Sequence, residues 1–114
     1  MSSSSASVLV DHMREAGAQV LTFVEGMDRD AFLTDKRTQQ AVILSLIIIG
    51  EAASRLMDRH PDVPTANPEI AWRAIRGMRN RIAHGYYDID LAVVWETVTT
   101  ALPELMRQLD SLAD

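Results

Sequence analysis

Eight consecutive residues, Arg79-Asn80-Arg81-Ile82-Ala83-His84-Gly85-Tyr86, carry two guanidiniums, an amide, an imidazole and a phenol. Four residues separate Arg79 from His84, and one separates His84 from Tyr86. A histidine that moves protons beside an arginine that holds negative charge suits RNA cleavage through the ribose 2′-hydroxyl. His84 would act as general base on that hydroxyl, or as general acid on the leaving 5′-oxygen. Arg79 would stabilise the added charge of a phosphorane-like transition state. Asn80 could orient the phosphate or the imidazole. DNA lacks the 2′-hydroxyl and would not be cut by this route. Other chemistries have little to stand on: the chain has no HExxH helix, Walker loop, GxSxG elbow or cysteine. The three histidines are scattered at 12, 60 and 84, so no metal site is expected and no cofactor is implied.

These residues need a helix to present them. Asn67 is a candidate N-cap with Pro68 at the first position, which predicts a helix from about Pro68 to Ala83. At about 100° per residue, Arg73, Arg76, Asn80 and His84 fall on one face. Ala71, Ala74, Ile75, Met78 and Ile82 fall opposite and are expected to pack inward, with Trp72 flanking the basic face. Such a face is a local anion site, or an ordinary solvated surface. Arg79 lies about 140° around the helix from His84, so on a straight helix the two side chains diverge. Either Gly85 ends the helix and His84 swings round, or the two residues work in a site shared across a dimer.

The other elements read as scaffold. Ser7 can cap a first helix whose stripe is Leu9, Met13, Ala16, Val20, Phe23 and Met27. His12 beside this stripe reads as solvent-facing or capping. Asp28 to Thr34 reads as a short connection with room for one helical turn at Ala31-Phe32. Thr34 or Asp35 caps a second helix reaching about Arg59, with His60 at its C-terminal end. From Ala41 to Ile49 this helix is apolar on nearly every side, which predicts burial all round. A small domain cannot cover every face internally, so the excess points to a homodimer. Glu51 directly follows this run, either exposed as the helix drifts to solvent or paired with an arginine near the site. Residues 60–68 form a loop by composition. Asp88 or Asp90 caps a last helix with the stripe Leu91, Val94, Val98, Ala101, Leu105, Leu109 and Leu112. Pro103 should kink or split it.

The fold class is therefore all-α, an up-and-down bundle of four to five helices. A disordered tail is expected at 1–7 and a single domain at 8–114. The apolar run is too short for a bilayer, which needs about 20 residues. Nothing at the N-terminus resembles a signal peptide, so the expected compartment is the cytoplasm, with no membrane. A net charge of −5 argues against a protein that coats nucleic acid non-specifically, yet leaves room for a small basic site.

The spacing Arg79-x4-His84-x-Tyr86 resembles the R-x4-6-H-x-Y signature of the HEPN superfamily. The flanks Gly50-Glu51-Ala52, Trp72-Arg73-Ala74-Ile75-Arg76-Gly77-Met78-Arg79-Asn80 and Val94-Trp95 extend the similarity over nearly the whole chain, to the HepT-like (DUF86) ribonucleases of HepT–MntA toxin–antitoxin pairs. That resemblance implies a helical homodimer with the two signatures facing each other. It implies a metal-independent endoribonuclease toxin acting on tRNA or mRNA, with Arg79 and His84 catalytic. Asn80, Arg76, Arg73 and Glu51 would support the site or bind RNA. It also implies an MntA-like nucleotidyltransferase antitoxin that AMPylates Tyr86, where bulk and negative charge would repel RNA. The alternatives are a catalytically silent module that docks such a partner or binds nucleotide, and a purely structural bundle.

Overall fold

The computed structural model describes residues 5–112, with helices and turns and no strand among them. In chain order the helices are α1 (Ala6–Phe23), α2 (Arg29–Leu33), α3 (Lys36–Arg59), α4 (Asp62–Ala66), α5 (Trp72–His84), α6 (Leu91–Glu96) and α7 (Leu102–Asp110). A 3₁₀ turn (Tyr86–Asp88) follows α5, and a π turn (Thr97–Ala101) joins α6 to α7.

The central helix is α3. Asp35 caps it, accepting hydrogen bonds from Thr38 N at 3.1 Å and Thr38 Oγ1 at 2.9 Å. Val42, Ile43, Leu46, Ile49, Ala53 and Leu56 are buried, and α3 packs against α1, α2, α4 and α5. By length and composition α3 could cross a membrane, but most of its apolar stretch is buried within the fold, the behaviour of a core helix. The burial is not complete, because Leu44 (59% exposed) and Ile48 (39%) sit one turn apart on an open strip.

Around α3, α1 contributes Leu9, Val10, Met13, Ala16 and Val20 to the core. Its cap is Ser5 rather than Ser7, so Ala6 and Ser7 of the expected tail are helical, while residues 1–4 lie outside the described residues. The helix ends at Phe23, which leaves Met27 beyond it and Phe23 itself exposed. The turn expected at Ala31-Phe32 is α2, and Phe32 is buried with its ring 5.3 Å from that of Trp95.

The last segment runs antiparallel to α1. Arg14 Nη2 donates to Leu109 O at 2.8 Å, while Gly17 faces Leu102 and Met106. Asp90 is the cap of α6. Pro103 widens the winding just before it: it has no N–H to give Thr99, and Leu102 N–H reaches back to Thr97 O. The helix restarts at Leu102 with Pro103 in its first turn.

Two expectations fail between 60 and 72. The proline-rich loop contains α4, and Asn67 ends that helix instead of starting the next. The Asn67 side chain is engaged backwards, donating from Nδ2 to Val63 O at 2.9 Å. With that amide occupied and Pro68 lacking an N–H, α5 starts only at Trp72, preceded by Ala71 and without a side-chain cap.

The Asp35 cap carries a testable consequence. Hydrogen bonds from the Thr38 backbone and then its hydroxyl hold the Asp35 carboxyl below its ordinary range. A lowered carboxyl pKa gives stability that is fully present above the ordinary value and lost as pH falls through the lowered one. Asp35→Ala should lower the thermal midpoint at neutral pH, and that deficit should shrink in acid. Melting curves of both proteins from pH 7 to pH 3 check it.

Candidate active site

The signature helix is laid antiparallel on α3 by a polar seam. Arg76 is fixed at three points: Nε donates to Ser54 Oγ at 3.2 Å, and Nη2 donates to Ser54 O at 2.9 Å and to Asp58 Oδ1 at 2.7 Å. One turn on, Arg79 Nη1 is paired with Glu51 Oε1. At the start of the helix Trp72 is buried, and its indole N–H donates to Asn67 O at 2.9 Å. Trp72 is thus core, not a flank of the basic face. Arg76, expected on that face, is a strut between helices because α3 offers it a carbonyl, a hydroxyl and a carboxylate in line.

The Arg79 side chain is 22% exposed and that of Glu51 46%, so their ion pair is neither dry nor fully wet. Arg79 Nε is buried with no hydrogen-bond partner among the described residues. An exposed ion pair contributes roughly 0–1 kcal/mol to stability. The importance of this one is where it holds the guanidinium. Of the two possibilities for Glu51, pairing with an arginine is the one the structure takes.

Arg73, Asn80 and His84 remain exposed on the outer side of α5. The helix continues through His84, so the imidazole does not swing round toward Arg79. Gly85 follows as the C-cap, its N–H donating to Arg81 O at 3.0 Å. The 3₁₀ turn then presents Tyr86, 44% exposed, with its ring edge-on to Tyr87. His84 rims a cavity of about 470 Å³ together with Arg81, Asp88 and Asp90. Arg79 faces α3 and His84 faces solvent, so one chain does not bring them together.

The expected inward face of α5 is met by Ile75, Met78 and Ile82 and corrected at Ala71 and Ala74. Ile82 is buried, but Ile75 and Met78 are half-buried and Ala71 and Ala74 exposed. They border a cavity of about 360 Å³, floored by Leu46 and Ile49 and closed by Leu102 and Leu105. Sequence reasoning missed Ser54 and Asp58. The signal was there: Gly50, Ser54 and Asp58 recur every four residues on a helix otherwise apolar at its middle. Among the described residues no group of three His, Cys, Asp or Glu could hold a metal ion.

Comparison with known proteins gives this helix its context. The family model described as ribonuclease HepT-like matches residues 13–112. A probable ribonuclease HepT of Thermococcus cleftensis is 36% identical over 99 residues, 83% of this chain and 87% of that one. A Methanocaldococcus jannaschii protein named for a proposed RNase activity is 31% identical over 93 residues, covering 82% and 74%. Another so named, from Caldanaerobacter subterraneus, is 29% identical over 107 residues, covering 90% and 89%. No solved structure matches. The chain belongs to the HepT-like ribonuclease family.

The strut role of Arg76 predicts a stability effect. Arg76→Ala removes bonds to Ser54 and Asp58 and should cost about 1–3 kcal/mol. Arg73→Ala, on the open face, should cost less than about 0.5 kcal/mol. Urea unfolding of the two variants separates them, and equal losses would refute the assignment.

Proposed function

We propose that this chain is a metal-independent endoribonuclease toxin, active in the cytoplasm as a homodimer. The observation that carries this is the presentation of the signature. On α5, the α3 edge holds Arg79 on Glu51, while the C-terminal end leaves His84 and Tyr86 open to solvent.

Two copies would complete the site, since Arg79 and His84 diverge within one. The surface for the second copy is the α3 strip of Leu44 and Ile48, in line with Glu51 at helical spacing. Two exposed aliphatic side chains beside the polar seam favour burial against their own symmetry mates. A two-fold contact there would draw the Arg79 edges of both protomers toward one cleft.

In the reaction, His84 takes the proton of a ribose 2′-hydroxyl, and the 2′-oxygen attacks the adjacent phosphorus. The bond to the 5′-oxygen breaks and that oxygen takes up a proton. The products are a 2′,3′-cyclic phosphate end and a 5′-hydroxyl end. Arg79 holds the non-bridging oxygens as their charge grows. Asn80 and Arg73, exposed on the same side as His84, would align the backbone of a tRNA or mRNA substrate, with Arg76 holding the helix that carries them.

The neutralising partner in this proposal is an MntA-like nucleotidyltransferase. The Tyr86 hydroxyl attacks the α-phosphorus of ATP, pyrophosphate leaves, and AMP stays on the tyrosine. That places a phosphodiester charge two residues from His84, where it repels RNA. The second reading is a catalytically silent module that docks such a partner, which would hold if Glu51 did not yield the Arg79 guanidinium to phosphate.

RNA incubated with the protein in EDTA should be cut, and the matching DNA left intact. His84→Ala should lose at least about 100-fold in rate while keeping its helical signal. Undiminished cutting by that variant would remove His84 from the mechanism. No cutting by any form, including protein confirmed by mass to carry no AMP, would favour the docking module. Ile48→Glu should shift sedimentation from dimer to monomer and reduce cleavage with it.

A further inference from the structure

We infer that Gly50 is a positioning residue for Arg79, its missing side chain being what lets α5 seat the guanidinium on Glu51. A glycine inside a helix is less favourable than an alanine, so its place in the middle of α3 calls for a cause. Backbone conformation is not that cause: among the described residues the one glycine with positive φ is Gly26. The cause is lateral. A Cβ on Gly50 would overlap Arg79 Cβ, lie 2.7 Å from its Cγ and 3.5 Å from its Cα. These are the atoms nearest the backbone, and no rotation about the distal bonds of the side chain clears Cβ. The helices themselves would have to part.

Gly17 supplies the contrast. A Cβ there would overlap Met106 Sδ, which lies toward the end of a flexible thioether that can swing aside. At Gly50 the displaced element is α5, at the turn whose neighbours along the seam are the Glu51 pair and the Arg76 bonds to Ser54. Separating the helices there lifts the guanidinium from the carboxylate and uncovers the buried Arg79 Nε. Gly50 thus acts through Arg79 and touches no substrate.

The test has two arms. In ¹⁵N-labelled protein the Arg79 Nε–H signal is assigned by its disappearance in Arg79→Lys, and its hydrogen exchange is measured. Wild type should show slow exchange relative to the exposed Arg73. Gly50→Ala should stay helical by circular dichroism, yet shift this signal and speed its exchange. Glu51→Gln should move the same signal without altering the helix spacing. The second arm rests on the ribonuclease proposal: Gly50→Ala should lower kcat on the order of 100-fold with KM nearly unchanged, the scale of an ångström-sized misplacement. Gly17→Ala should leave both the signal and the rate as they are. An Arg79 signal unchanged in Gly50→Ala would overturn the inference. So would loss of folding, which would make Gly50 a requirement of the bundle instead. A shifted signal in a protein that cuts no RNA in any form would uphold the seat and reject the ribonuclease proposal.

Discussion

The structure depends on how closely α5 can approach α3. A 24-residue helix with an apolar middle must have that middle covered, and α1 and α5 supply most of the cover. On the α1 side the contact is aliphatic. On the α5 side it is polar and close: a glycine opposite the stem of an arginine, with a carboxylate on one side and a serine and an aspartate beyond. Directional bonds of this kind fix register more sharply than the area they bury would suggest. The helix that carries the signature residues is therefore held on α3 by directional polar bonds.

Most of the scaffold was legible because it follows from periodicity and capping chemistry. The stripe is observed from Leu9 through Met13 and Ala16 to Val20 but not at Phe23 and Met27, and of the caps left open between Thr34 and Asp35 and between Asp88 and Asp90 the structure takes Asp35 and Asp90. The start of α5 was not legible, since the Asn67-Pro68 pair satisfies the rule for a helix start. What overrode the rule is a side-chain bond from Asn67 to Val63, together with an indole bond from Trp72 to the Asn67 carbonyl. Both bonds are local, spanning four and five residues, so their partners lie within a short window; the capping rule fails because it does not rank these competing bonds against the N-cap bond.

The site divides in the same way. Residue types and the resemblance singled out Arg79, His84 and Tyr86 as candidates, and a helical wheel separated Arg79 from His84. The wheel could not tell which basic residues were free. Arg73 and Arg76 share an angular sector, yet one is open to solvent and the other is held by Ser54 and Asp58. That difference is decided by α3, whose Ser54 and Asp58 recur with Gly50 at four-residue spacing but do not say which arginine they hold until α5 is placed on them. Gly50 likewise gives no sign in the sequence of being opposite Arg79 Cβ.

The modest strength of the Glu51 pair bears on how an acidic chain could handle RNA. With a net charge of −5, long-range attraction is unavailable, and a phosphate must be held by contacts at close range. A guanidinium left free beside the apolar strip of Leu44 and Ile48 would be mobile and would have to be ordered on binding. Held by Glu51, it is already in place. A pair whose carboxylate remains 46% exposed can be shared with an incoming phosphate or yielded to it. A fully buried pair could not, because breaking it would strand a charge at a cost of several kcal/mol. On the proposed mechanism, then, partial exposure is the property that allows one carboxylate to pre-position Arg79 without withholding it from substrate.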